Sequence, residues 1–92
     1  MRYRFYIDPE TERPHIENHG VSMGECIEVL RHSVQDFASG PGSRQALGPT
    51  RGGRLLKVVY TIDNTSGEAF VITAYPLDGK QLKAYRRRNR RR

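Results

Sequence analysis

The chain has a single cysteine, Cys26, which excludes an internal disulfide, so stability has to come from packing and a reducing compartment is expected. Tryptophan is absent, and no stretch approaches the roughly 20 apolar residues a membrane span needs. The start, MRYRFYIDP, lacks the apolar core of a signal peptide, so a soluble cytoplasmic protein is expected. Neither glycine-rich run, SGPGSR nor GPTRGGR, ends in the Gly-Lys-Ser/Thr of a phosphate loop; both are turn chemistry. The sequence has no nucleophile elbow, no Cys–His pairing at a familiar spacing and no internal repeat. No cofactor is implied.

Acidic residues are missing altogether after Asp78. Residues 1–79 hold eight Lys or Arg against ten acidic side chains, and residues 80–92 hold eight more basic residues with none to balance them. Like charges packed that densely repel one another and contribute nothing to a compact fold. Beside the bland reading of a solubilising tail stands the sharper one of an end built to meet a polyanion, most naturally RNA. Arginine outnumbers lysine there and suits forked phosphate contacts. The candidate RNA-binding residues are Lys80, Lys83, Arg87, Arg88, Arg90 and Arg91.

Ninety-two residues, 36% of them hydrophobic, fit one domain with a thin core. Tyr3, Phe5 and Ile7 alternate with Arg2, Arg4 and Tyr6, which predicts a half-buried strand ended by Pro9. Pro14 and Gly20 bracket a short helix. Ser22 and Glu25 have capping-box spacing, with Val21 and Cys26 placed as a hydrophobic staple. Met23, Cys26, Ile27, Leu30 and Val34 then make a helical apolar stripe that reads as core. Residues 39–43 read as a loop and Arg44–Leu47 as a short strand. The stronger strand, Arg54–Ile62, is apolar on both faces, as a central strand should be. The segment DNTSG turns the chain into a return strand, Glu68–Tyr75. Asp78 and Gln81 open a basic helix over residues 80–92. The order β-α-α-β-β-β-α gives an α+β fold, an antiparallel meander with the helices packed on one face.

The segment YIDPETERPHIENHGVSMGECIEVL resembles the N-terminal half of BrnT-type toxins, which show an aromatic–Asp–Pro strand end, a Lys/Asn-rich helix, His-Gly-Val-Ser and a second helix. The segment GGRLLKVVYTIDNTSGEAFVITAYPLDGKQLKAYRRR is similar to their hairpin and basic last helix. The resemblance covers nearly the whole of residues 1–92 and implies one domain of the RelE/ParE-like set. It further implies the toxin of a bacterial toxin–antitoxin pair, a metal-independent endoribonuclease acting on mRNA and silenced by a small antitoxin. The chain departs from the family's usual Ala-Arg-Lys: Ala74 and Tyr75 follow Thr73, so the cation at the end of the last strand is missing. Alternatives are a degenerate toxin that only binds RNA or its partner, and inhibition of gyrase through protein contacts.

Metal-free RNA cleavage needs an activated 2′-hydroxyl, cations for the phosphorane and an acid for the leaving oxygen. If hairpin partners sum to about 130, Lys57 lies opposite Thr73 and Leu55 opposite Tyr75, with Lys57 and Tyr75 on the face away from the helices. Arg44 on the neighbouring strand and Arg86 and Arg87 on the last helix are expected to converge there. The candidate catalytic residues are therefore Lys57, Arg44, Tyr85, Arg86 and Tyr75. His15 and His19 share a helix face but lack a third ligand nearby, so no metal site is assigned.

Overall fold

The computed structural model describes the backbone of residues 2–90 and the side chains of residues 2–88. The expected first strand is divided into β1 (Tyr3–Phe5) and β2 (Ile7–Asp8). Pro9 cannot extend the ladder, and the chain folds back into β3 (Arg13–Pro14), antiparallel to β2. Asp8 organises the reversal: its carboxylate accepts the Glu10 amide at 2.9 Å and its carbonyl accepts the Glu12 amide at 2.7 Å.

A single 3-10 turn, His15–His19, follows and stops at Gly20, whose φ of 72° is the left-handed conformation that favours glycine. Ile16, 1% exposed, pins this turn to the core. The helix α1 (Met23–His32) begins with the predicted capping box: the Glu25 amide donates to Ser22 Oγ, and the Ser22 amide to Glu25 Oε1, both at 3.1 Å. Val21 and Cys26, the expected staple, both lie in the first core cluster.

The apolar stripe of α1 ends earlier than the spacing predicts. The helix stops at His32, and Ser33 is already extended at φ −62°, ψ 142°. Here the chain crosses β5 (Ser43–Pro49) at Gly48, where an added Cβ would lie 3.3 Å from Ser33 Cα. The glycine makes this close crossing possible. Val34 thus leaves the α1 stripe, and Val29, fully buried, takes a place in it instead.

The outer edge of the sheet is a strand that the sequence pattern does not predict, β4 (Gln35–Gly40), which takes Ser39 and Gly40 out of the expected loop. With β6 (Leu55–Ile62) and β7 (Ala69–Pro76) it completes an antiparallel meander β4-β5-β6-β7. β1 adds to the far edge, parallel to β7, so the fold is α+β with a five-stranded mixed sheet.

Alternation gives the sheet two apolar faces. Ala46, Leu56, Val58, Tyr60, Val71 and Ala74 pack with Ile16, Cys26 and Val29 beneath α1. Leu47 and Leu55 point the other way and are covered by Leu77, Leu82 and Tyr85, the last two from α2 (Gly79–Arg90). The helices therefore occupy opposite faces rather than one. Both sides of β6 carry apolar side chains, and each fully buried one contributes about 1.5–3 kcal/mol only if its own face is covered. Leu77 steers the chain there, its amide donating to the Leu55 carbonyl at 2.9 Å. Among the described residues, no helix is long and apolar enough to cross a membrane.

Candidate functional site

The β6–β7 ladder determines what stands beside Lys57. Its direct partner is Tyr75, with Val58 opposite Ala74 and Val59 opposite Thr73. The expected pairing of Lys57 with Thr73 is therefore displaced by two residues. The register shifts between Val59 and Tyr60, where Ile72 is the extra residue of a bulge, so the ladder beyond it is offset from the pairing that the loop implies. Lys57 and Tyr75 still share the face away from α1, and the Lys57 ammonium lies 5.5 Å from the Tyr75 ring centroid, a cation–π contact.

Tyr75 continues into a row of rings. Its ring stands edge-on to His19 with centroids 6.0 Å apart; His19 meets His15 at 5.3 Å, and His15 meets Tyr6 at 6.1 Å. The 3-10 turn brings both imidazoles alongside β7, and Arg54 holds the end of that turn. Its Nη1 donates to the Gly20 carbonyl at 3.0 Å and to both Glu25 carboxylate oxygens at 3.2 Å. Behind His15, Asp8 Oδ2 accepts from Asn18 Nδ2 at 2.9 Å, while His15 Nδ1 sits 3.4 Å from Asp8 and the same distance from Asn18. Asn18 is thus the closer partner of Asp8. The Glu10 amide above all, with lesser help from Asn18 and His15, holds the Asp8 carboxyl below its ordinary value of 3.8, against an opposing desolvation that ranks second among the causes.

His19 is exposed, while Lys57 and Tyr75 are half-buried, so the row presents a cation, a phenol and an imidazole along one rim. The two histidines and Tyr6 were not among the candidate catalytic residues of the sequence. Their four-residue spacing was visible, but their proximity to Tyr75 depends on where the 3-10 turn docks.

The other candidates do not join this row. Arg44 pairs with Tyr60 and lies on the α1 side of the sheet, opposite to Lys57. Its Nε donates to Asp36 Oδ1 at 2.9 Å, and the Tyr60 hydroxyl donates to Asp36 Oδ2 in a short hydrogen bond. The hydrogen bond with Tyr60, then Asp36, raises the Arg44 pKa, and burial followed by the bond to Asp36 raises that of Tyr60. This is a closed local network, because strand parity turned Arg44 away from Lys57. Tyr85 is 4% exposed and fills the second core cluster, so it serves as a packing anchor rather than a proton donor. Arg86 is exposed and lies off the sheet-facing line of Gln81, Tyr85 and Arg88, so it does not converge on Lys57.

The remaining cations make a surface. Lys80, Lys83 and Arg87 recur at spacings of three and four on the outer side of α2, with Arg86 beside them, all exposed. Arg88 instead turns inward, its Nη1 donating to Gln35 Oε1 at 3.0 Å. The Arg90 side chain and Arg91 lie outside the described residues. Among the described residues no group of three or more His, Cys, Asp or Glu could hold a metal ion. No family model matches the chain, and neither a curated protein nor a solved structure does.

Proposed function

We propose that the protein is the toxin of a toxin–antitoxin pair, a metal-independent endoribonuclease on a RelE-like plan. The reading rests on one observation: Lys57 and Tyr75 share the sheet face that also carries the cationic helix α2, and the His19 ring continues their row from Tyr75. In this scheme phosphates bind along Lys80, Lys83, Arg86 and Arg87, and the scissile phosphate lies at the row. His19 removes the proton of the 2′-hydroxyl, the O2′–P bond forms, and the P–O5′ bond breaks. Lys57 stabilises the phosphorane charge, and the Tyr75 hydroxyl returns a proton to the 5′ oxygen. The products are a 2′,3′-cyclic phosphate and a 5′-hydroxyl. A small antitoxin with acidic residues covers the cationic side of α2 in the resting cytoplasmic complex.

The test is incubation of single-stranded RNA with purified protein in EDTA. Cleavage with cyclic-phosphate ends, lost in both Lys57→Ala and His19→Ala, is the expected result. Intact RNA would overturn the enzymatic reading and favour the second one, a module that binds RNA without cutting it. That second reading draws on a specific observation: Arg44 and Tyr85 are occupied elsewhere, leaving fewer charged groups at the rim than the spacing predicts.

A further inference from the structure

The face between α2 and the sheet contains a cleft of about 140 Å³, below the roughly 300 Å³ at which pockets begin to take drug-sized ligands. Its floor is apolar, formed by Leu47, Leu77 and Tyr85. Its walls are of a different character: Phe37 on β4, Gln45 on β5 and Gln81 on α2, with Lys57 and Arg88 also lining it. Phe37 is 40% exposed, a large ring left open at the cleft. Amides from two separate elements beside an open aromatic ring are the combination that recognises a flat heterocycle with hydrogen-bonding edges. The two cations add a preference for an anionic substituent on that heterocycle.

Arg88 is set rather than free. The bond from its Nη1 to Gln35 Oε1 fixes which way the Gln35 amide points, since a flipped amide would present hydrogens to the guanidinium. That orientation leaves Gln35 Nε2 buried with no hydrogen-bond partner among the described residues.

We infer that this cleft holds one nucleobase of single-stranded RNA and reads its identity, Phe37 stacking on the ring while Gln45 and Gln81 bond its edge. The inference rests on the ribonucleolytic reading for its choice of ligand. Lys57 belongs both to the cleft and to the Tyr75–His19 row, so a base in the cleft sets its own phosphate beside that row. The protein therefore has a sequence preference at the nucleotide bound next to the cut.

The experiment uses the full chain and uncleavable probes: 2′-O-methyl RNA tetramers of each single base and an abasic tetramer, titrated by NMR or fluorescence. One base binds about ten-fold more tightly than the abasic probe, and Phe37→Ala and Gln81→Leu erase that difference while leaving abasic binding unchanged. Equal affinity for all five probes, or a preference that survives both variants, overturns the inference. Cleavage of RNA in EDTA by a protein that binds all five probes alike removes the cleft alone and leaves the ribonuclease standing. Base discrimination by a protein that leaves RNA intact does the reverse.

Discussion

Lys57 and Tyr75 face each other directly across the β6–β7 ladder, the ammonium 5.5 Å from the ring centroid. The relationship couples a charge to a phenol whose other edge meets His19 at 6.0 Å. The ring has two separable contributions, its face for the ammonium and its hydroxyl for proton transfer. Tyr75→Phe keeps the first and removes the second. The expected outcome is a fall of about 10²-fold in RNA cleavage with little change in RNA affinity, the lower end for a lost general acid. Tyr75→Ala, by freeing Lys57, is expected to lower both. Single-turnover kinetics beside equilibrium binding separates the two effects.

The outer face of α2 makes a prediction in salt rather than in rate. Each phosphate contact on a single strand adds about 0.7 to the slope of log affinity against log salt. Lys83 and Arg87 lie four apart on that face, both exposed. Replacing both with alanine should lower the slope by about 1.4 on single-stranded RNA. An unchanged slope would mean that the strand runs elsewhere.

Cys26 should be chemically silent. It is fully buried between Val21 and the sheet, and burial, followed by the nearby Glu25 charge, pushes its thiol up to about 12. At neutral pH almost none of it is the reactive thiolate. Alkylation is expected only after unfolding, so the labelling rate should rise with denaturant in step with the loss of helical signal.

Asp8 carries the pH prediction. Its folded value is depressed below 3.8, first by the Glu10 amide and then by Asn18 and His15. A depressed carboxylate adds stability that is fully present above its unfolded value and is lost as pH falls through the lower folded value. Wild type should therefore exceed Asp8→Asn in thermal stability from neutral pH down to about pH 4, with the gap closing at more acidic pH. Thermal melts across that range test it. Because Asp8 also anchors Asn18 beside His15, the variant should loosen the imidazole row as well.

Several of these features could be read in the sequence, and the failures have physical causes. Ser22, Glu25, Pro14 and Gly20 act through backbone groups within four residues, so their roles follow from local spacing, and the structure has them as expected. β4 was missed because Asp36, Ser39 and Gly40 are poor strand formers; what holds it is a backbone ladder to β5, a partner that local propensity does not reveal. The hairpin register failed by two: the pairing next to the turn, Ile62 with Ala69, is already offset by one, and the bulge at Ile72, which leaves no mark in composition, adds the second. Arg44 was assigned to the wrong face by the same weakness, since one residue of alternation decides everything on a strand. The helix stripes identified Cys26 and Tyr85 as buried, but they counted Met23, which is 45% exposed, as core, passed over the fully buried Val29, and did not say which face of the sheet would bury either helix.

Tyr85 gives the sharpest contrast between a catalytic reading and a structural one. It is 4% exposed, and with Leu47 and Leu77 it holds α2 against the sheet. A phenol acting in proton transfer would make Tyr85→Phe inactive while Tyr85→Phe remained stable. Packing predicts the opposite order. Phenylalanine preserves the ring volume, so activity and melting temperature should stay near wild type. Tyr85→Ala removes the wedge and should cost about 3 kcal/mol, comparable to other aromatic truncations in cores. Because α2 carries Lys80, Lys83, Arg86 and Arg87, its loosening should also weaken RNA binding in a salt-dependent way, although none of those cations has been altered. Measuring melting temperature, salt slope and cleavage for the two variants side by side resolves the role of this residue: full activity in Tyr85→Phe places Tyr85 in the scaffold, and an inactive but stable Tyr85→Phe returns it to the chemistry.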